Sequence, residues 1–289
     1  MRRPYATLVG VCTAWGTIGL LVRGVDLPAA AITSARVWVG ALGLGLVIRA
    51  TRGRDGGRPL FSYQPGRVAL TGGLLAVHWL SFVAALQRAP IGTVVLIVFL
   101  GPIGVAFVAP RALGERSSPR TIAALGLAVA GFVLVAGPGA RSAGLLGPAL
   151  AGLAAVLFVA LVIVSKPLAV AYGGLRLAFL ELAVAGVVLL PVGLTAEWGH
   201  LRPVWLWLVV LGLVHTAAGV SLYLAALARV PAVHAGILGY LEPAGAVLCG
   251  WLFLSEEPAA ATIAGAVLIV AAGFLVLRAG ASEVIGVPG

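Results

Sequence analysis

Ten long apolar stretches follow one another along this sequence with little between them, at approximately 5–22, 28–48, 68–87, 91–109, 120–137, 144–165, 175–195, 203–228, 232–254 and 259–277. A helix that crosses about 30 Å of hydrocarbon needs about 20 mostly apolar residues. Each stretch is therefore long enough to span a bilayer, where a helix satisfies its own backbone polar groups. Turn-forming residues separate the stretches: Asp26-Leu27-Pro28, Gly53 to Gly57, Ala89-Pro90, Gly137-Pro138-Gly139, Arg202-Pro203, Val230-Pro231 and Glu257-Pro258. The composition agrees, with 61% hydrophobic and 10% charged residues and a mean hydropathy of +1.13, against about 25% charged in soluble domains. The expected fold is all-α, a polytopic membrane protein of ten transmembrane helices. The N-terminal Arg2-Arg3 followed by Tyr5 to Val22 also has the shape of a signal peptide, but the repeat described below uses it as a first helix.

The net charge of +10 does not mark a nucleic-acid binder, because the Arg residues lie between apolar runs rather than on one polar face. Placing both termini in the cytoplasm puts fourteen cations inside: Arg2, Arg3, Arg49, Arg52, Arg54, Arg58, Arg67, Arg111, Arg116, Arg120, Lys166, Arg176, Arg229 and Arg278. Four remain outside, Arg23, Arg88, Arg141 and Arg202, and Arg36 lies within the second span. This bias across short loops is the positive-inside pattern of a plasma-membrane protein, and losing one span would spoil it. Trp198, Trp205 and Trp207 read as interfacial anchors. Cys12 and Cys249 sit inside apolar stretches without a ligand partner at metal-binding spacing, so they read as packing residues, with no disulfide and no metal.

The two halves share a pattern. Ala84-Ala85-Leu86-Gln87-Arg88-Ala89-Pro90 matches Ala225-Ala226-Leu227-Ala228-Arg229-Val230-Pro231 at an offset of 141. Phe99-Leu100-Gly101-Pro102 then falls on Tyr240-Leu241-Glu242-Pro243, Glu115 on Glu256, and Thr121-Ile122-Ala123 on Thr262-Ile263-Ala264. Trp15 and Arg23 meet Phe158 and Lys166 at an offset of 143. Repeats of five spans insert with opposite topology, a plan that places a transport site near the midplane at the repeat interface. The expected units are residues 1–140, residues 141–280 and a short tail, 281–289.

These residues resemble the drug/metabolite transporter superfamily of the EamA type over essentially the whole length. Trp15-Gly16 with Arg23 looks like the family's first helix and Arg36 like its basic residue early in the second. Tyr240-Leu241-Glu242-Pro243 followed by Leu254-Ser255-Glu256-Glu257 looks like its second-repeat signature. Arg88-Ala89-Pro90-Ile91-Gly92 and Phe99 to Ala106 resemble the threonine and homoserine exporter branch, although Val98 stands where that branch carries a Glu. The resemblance implies gradient-driven movement of small organic solutes, most often outward, amino acids among them.

Ionisable groups at membrane depth are costly and mark functional candidates. His78, His215 and Glu242 each lie roughly 15 Å into their spans, near the midplane. Desolvation disfavours a charged carboxylate, so Glu242 is expected to load and release a proton during transport, or else to serve as a structural carboxyl at the break before Pro243. His78 and His215 are either substrate-facing or packed. Arg36 and Glu181 are coupling or gating candidates, with structural pairing as the alternative. Pro102 and Pro243 each remove a backbone donor, freeing the carbonyls of Val98 and Gly239 for a ligand, a water or a hinge. Trp15, Trp79, Phe82, Phe99, Phe158, Tyr223 and Tyr240 are the expected aromatic wall of a substrate site.

There is no GxxxxGK[ST] loop for an ATP-driven pump, no HExxH and no Gly-x-Ser-x-Gly. Together with the repeat, this points to a secondary active transporter rather than an enzyme, and one that needs no cofactor. Gly- and Pro-interrupted spans favour rocking about a site over an open pore. A lipid-linked carrier or flippase for an amphipathic molecule is the alternative function. The expected partners are a small-molecule substrate and the lipid bilayer, with a homodimer as the alternative to a monomer and no nucleic acid.

Overall fold

The computed structural model describes residues 2–23, 25–51, 63–89, 91–136, 144–199, 201–254 and 258–283. The turn at Pro90, the loop from Arg52 to Arg58, Gly137 to Arg141, Ser255 to Glu257 and the tail past Glu283 lie outside these residues.

All regular structure among the described residues is helical. The first five helices are α1 (Arg2–Trp15), α2 (Ile18–Arg23), α3 (Ala29–Thr51), α4 (Pro65–Leu86) and α5 (Ile91–Val98). Then come α6 (Leu100–Ala112), α7 (Pro119–Ala136), α8 (Leu146–Tyr172), α9 (Gly174–Leu194) and α10 (Leu201–Val210). A π-helical segment, Leu211–Ala218, runs on into α11 (Gly219–Leu227), which is followed by α12 (Ala232–Gly239), α13 (Leu241–Leu254) and α14 (Ala260–Glu283).

Among the described residues eight helical stretches, rather than ten, are long and apolar enough to cross a membrane by length and composition. The two others have identifiable shortfalls. Pro119–Val135 is shorter, and the first apolar stretch is split at Gly16-Thr17 into helices of 14 and 6 residues. At that split a Cβ on Gly16 would come within 2.5 Å of the Ala246 nitrogen and 2.6 Å of the Glu242 carbonyl oxygen. Only glycine lets α1 approach the start of α13 so closely.

Small residues set the other crossings. A Cβ on Gly131 would meet the Gly265 oxygen at 2.6 Å, and one on Gly265 the Gly131 oxygen at 2.4 Å, so α7 and α14 touch backbone to backbone. α3 packs on α9, α4 on α8, α6 on α12 and α1 on both α11 and α13. Large apolar side chains such as Leu46, Phe107, Phe253, Val267 and Phe274 are more than 60% exposed on the outside. An apolar periphery of this extent is the surface that lipid covers. Trp205 and Trp207 are half exposed, whereas the Trp198 indole donates to the Gly193 carbonyl at 3.0 Å.

The breaks in the two interrupted helix pairs fall three residues before the prolines. Phe99 separates α5 from α6 and Tyr240 separates α12 from α13, so Pro102 and Pro243 are each the third residue of the following helix. There a backbone N–H would have no intrahelical acceptor, and proline costs little. The carbonyl taken by a side chain is also not Val98's: the Tyr240 hydroxyl donates to the Phe99 carbonyl at 2.8 Å. Phe99, Phe132 and Tyr240 stack around this bond, with ring centroids 5.2 to 5.7 Å apart.

Candidate functional site

A cavity of about 160 Å³ lies between the two halves of the chain, walled by the α1–α2 pair, α3, α4, the α5–α6 pair, α8, α9, α11 and the α12–α13 pair. Its polar groups are few and converge from different helices. Arg36 of α3, His78 of α4, Glu181 of α9, Tyr223 of α11 and Glu242 of α13 all reach it. Trp15, Trp79, Phe82, Phe99 and Phe158 supply its aromatic wall, and Pro102 lies against it.

Three expected site residues are elsewhere. Tyr240 is fully buried, its hydroxyl committed to the Phe99 carbonyl. Pro243 is buried in the first turn of α13 and does not line the cavity. His215 does not line it either: its Nε2 is 2.7 Å from the Thr17 hydroxyl. That hydroxyl donates to the Ala14 carbonyl at 2.7 Å, so it accepts from His215 and fixes Nε2 as the protonated nitrogen. The imidazole thus staples the split in the first helix to the π-helical segment.

The same segment holds two cavity residues. The Trp15 indole donates to the His215 carbonyl at 3.0 Å. The Arg36 Nε donates to the Thr216 hydroxyl at 3.1 Å, and that hydroxyl donates to the Leu211 carbonyl, five residues back, at 2.9 Å. Five-residue spacing belongs to π geometry, which recurs at functional sites. The Arg36 guanidinium lies over Trp79, 4.0 Å from the ring centroid. Arg36 and Glu181 do not pair: Glu181 accepts from the Ser165 hydroxyl at 2.6 Å. Among the described residues Glu242 makes no hydrogen bond or close ion pair; it faces the cavity, where Arg36 is the charge that acts on it through space.

His78 Nδ1 is 2.8 Å from the Ala154 carbonyl. A carbonyl only accepts, so Nδ1 carries the proton and Nε2 is the acceptor in the neutral ring. The bond also ties α4 to α8, where His78 packs on Phe158 with centroids 5.9 Å apart.

Several neighbours carry no signal along the chain. Cys12, read as a packing residue, lines the cavity, as does Ser165. Beside Ser165, Lys166 binds Glu115 and donates to the Val230 carbonyl at 2.5 Å, while the other Glu115 oxygen accepts from the Ala232 backbone N–H at 2.7 Å. One ion pair thereby joins α8, the α6–α7 connection and the start of α12, one helical turn from the cavity residues Leu227 and Ala235. Lys166→Met leaves Glu115 with its backbone donor alone. Both side chains are mostly buried, so the expected cost is about 2 kcal/mol, between that of exposed and fully buried pairs. A drop of several degrees in the apparent melting temperature of the purified protein checks this. An unchanged melting temperature makes the pair incidental.

The profile of the EamA-like transporter family matches this chain over residues 3–137 and a second time over residues 145–278. An uncharacterized transporter of Archaeoglobus fulgidus is 28% identical over 285 residues, covering 96% of this chain and 97% of its own. A solved crystal structure superposes with a TM-score of 0.81 at 22% identity, covering 97% of both chains, and shows the fold alone.

Proposed function

We propose that this chain, which belongs to the EamA-like transporter family, is a secondary active transporter that moves small organic solutes through its central cavity by alternating access. It is a multi-pass membrane transporter and not an enzyme. The observation that carries the reading is the cavity itself: few polar groups, an aromatic wall, and contributions from both halves of the chain.

Ten helices in two inverted five-helix repeats, residues 1–140 and 141–280, are the architecture we assign. The double match of the family profile supports it. So does the packing, because helices of equal rank in the two halves meet: α3 with α9, α6 with α12 and α7 with α14. The breaks at Phe99 and Tyr240 stand 141 residues apart, the offset of the repeat. Export of amino acids or similar metabolites, driven by a proton or solute gradient, follows from the resemblance of the first half to amino-acid exporters. A volume of about 160 Å³, comparable with cavities that accept a benzene-sized molecule, favours such a solute over a lipid-linked one. Flux in proteoliposomes across a panel of amino acids, organic acids and lipids, with and without a pH gradient, tests the function. Movement of lipids alone would replace it with the flippase reading.

The orientation proposed is plasma membrane with both termini cytoplasmic. A reporter fused after Gly289 is expected to be cytoplasmic, and a cysteine placed beside Arg202 to label only from outside. External detection of the C-terminus would sink the ten-helix arrangement.

A further inference from the structure

The strongest positive charge in the cavity wall is held in one pose. Arg36 is 4% exposed, its Nε edge is fixed by Thr216 and one face by Trp79. Its two Nη groups have no protein acceptor among the described residues, and Glu242, the carboxylate whose charge it feels, acts on it through space without a hydrogen bond or close ion pair. A charge at this depth is retained only where something satisfies it. A guanidinium pinned by its Nε edge and one face presents a pair of parallel N–H donors, the geometry that matches a carboxylate.

A second donor reaches the same cavity. The Tyr223 hydroxyl is buried, lines the same cavity and has no hydrogen-bond partner. A buried hydroxyl without a partner is rare in a native structure and asks for a ligand or water. Tyr223 packs on Trp15, centroids 5.4 Å apart, and Trp15 hangs from the His215 carbonyl, one residue from the Thr216 that holds Arg36. Both donors are thus positioned from the same π-helical segment. The remaining wall is aromatic and aliphatic, and the volume fits a ring-sized body. Arg36 is the one Lys or Arg side chain in this wall, and Glu181 and Glu242 face the same space, so a second negative charge on a ligand would find no second cation.

From this geometry we infer that the cavity selects a small organic monoanion, a carboxylate on an apolar, ring-sized body, bound by the Arg36 Nη pair with the Tyr223 hydroxyl as second donor. The inference rests on the cavity being the transport site. An ammonium on the same ligand is tolerated, with Glu242 as its counter-charge, whereas dianions such as phosphate esters are excluded.

The test uses the full chain in lipid nanodiscs and equilibrium binding of benzoate, its neutral isostere benzamide, benzylamine and the zwitterion phenylglycine. Benzoate or phenylglycine is expected to bind at least 10-fold more tightly than benzamide or benzylamine. Arg36→Gln should erase that preference, and Tyr223→Phe should weaken the acids about 3-fold to 10-fold while leaving benzamide unchanged. If Arg36→Gln does not fold, Thr216→Val, which frees the guanidinium without removing it, should weaken the acids in its place. Benzamide binding as well as both acids, or no binding of either acid, overturns the inference. Binding of the acids without their counterflow in proteoliposomes would instead overturn the transport reading and leave the carboxylate site standing. Flux of neutral or cationic solutes that neither acid inhibits would do the reverse.

Discussion

Glu242→Gln is expected to abolish concentrative, pH-driven flux while leaving exchange of substrate down its own gradient. The carboxylate lies in the first turn of α13, where the helix dipole favours negative charge, and it reaches the cavity shared with Arg36. Just behind it, the break between α1 and α2 presses Gly16 against the Glu242 carbonyl. A proton taken or lost there alters the charge beside the place where two interrupted helices meet, so the two forms favour different packings. Glutamine keeps the volume and the hydrogen bonds but cannot ionise. In liposomes with a clamped pH gradient, a wild-type accumulation ratio in this variant would remove Glu242 from the coupling step. Loss of folded protein would make it a structural carboxyl.

Gly265→Leu is expected to cost about 3 kcal/mol or more, at or beyond the upper end of ordinary overpacking. The Cβ would come 2.4 Å from the Gly131 carbonyl oxygen and 2.9 Å from the Leu134 Cβ. The first obstacle is backbone, which no rotamer change can move aside. Gly126→Ala on α7 is the control, since nothing lies within 4 Å of its Cβ, and relieving a helical glycine should stabilise by about 0.4 to 1 kcal/mol. Melting temperatures of the purified variants should therefore move in opposite directions. Equal values would mean that α7 and α14 separate at little cost.

The helical spans were legible because the signal is the length of an apolar run, which sequence carries directly. The interruptions were less so. Pro102 and Pro243 advertised broken helices, yet the breaks fall at Phe99 and Tyr240, because a proline in a first turn starts a helix more readily than it stops one. The split at Gly16-Thr17 depends on the approach of α13, a contact that no local residue announces. The π-helical segment is hidden for the same reason: Leu211 to Ala218 reads as any apolar helix, and its register is fixed by partners from far along the chain, Trp15 and Arg36.

Within the site, residue chemistry picked out Arg36, His78, Glu181 and Glu242 of the cavity wall, which are conspicuous inside apolar runs. It did not separate from these the residues whose polar atoms find a protein partner. Tyr240 turns its hydroxyl to the Phe99 carbonyl and His215 its imidazole to Thr17. Depth along a span identifies who is near the midplane but not which way a side chain faces. Cys12 shows the converse, an unremarkable residue made a wall residue by the face of α1 on which it stands.

The chain contains a single lysine, and that lysine is the one clasped by Glu115 and the Val230 carbonyl. Amine-directed reagents therefore have one side-chain target in the whole protein. A protonated amine held in an ion pair is a poor nucleophile. Once the clasp lets go, Lys166 gains both solvent and freedom. The rate at which a small amine-reactive dye modifies Lys166 in the purified protein becomes a clock, built on a native residue, for how often α8 parts from the start of α12, with no cysteine introduced.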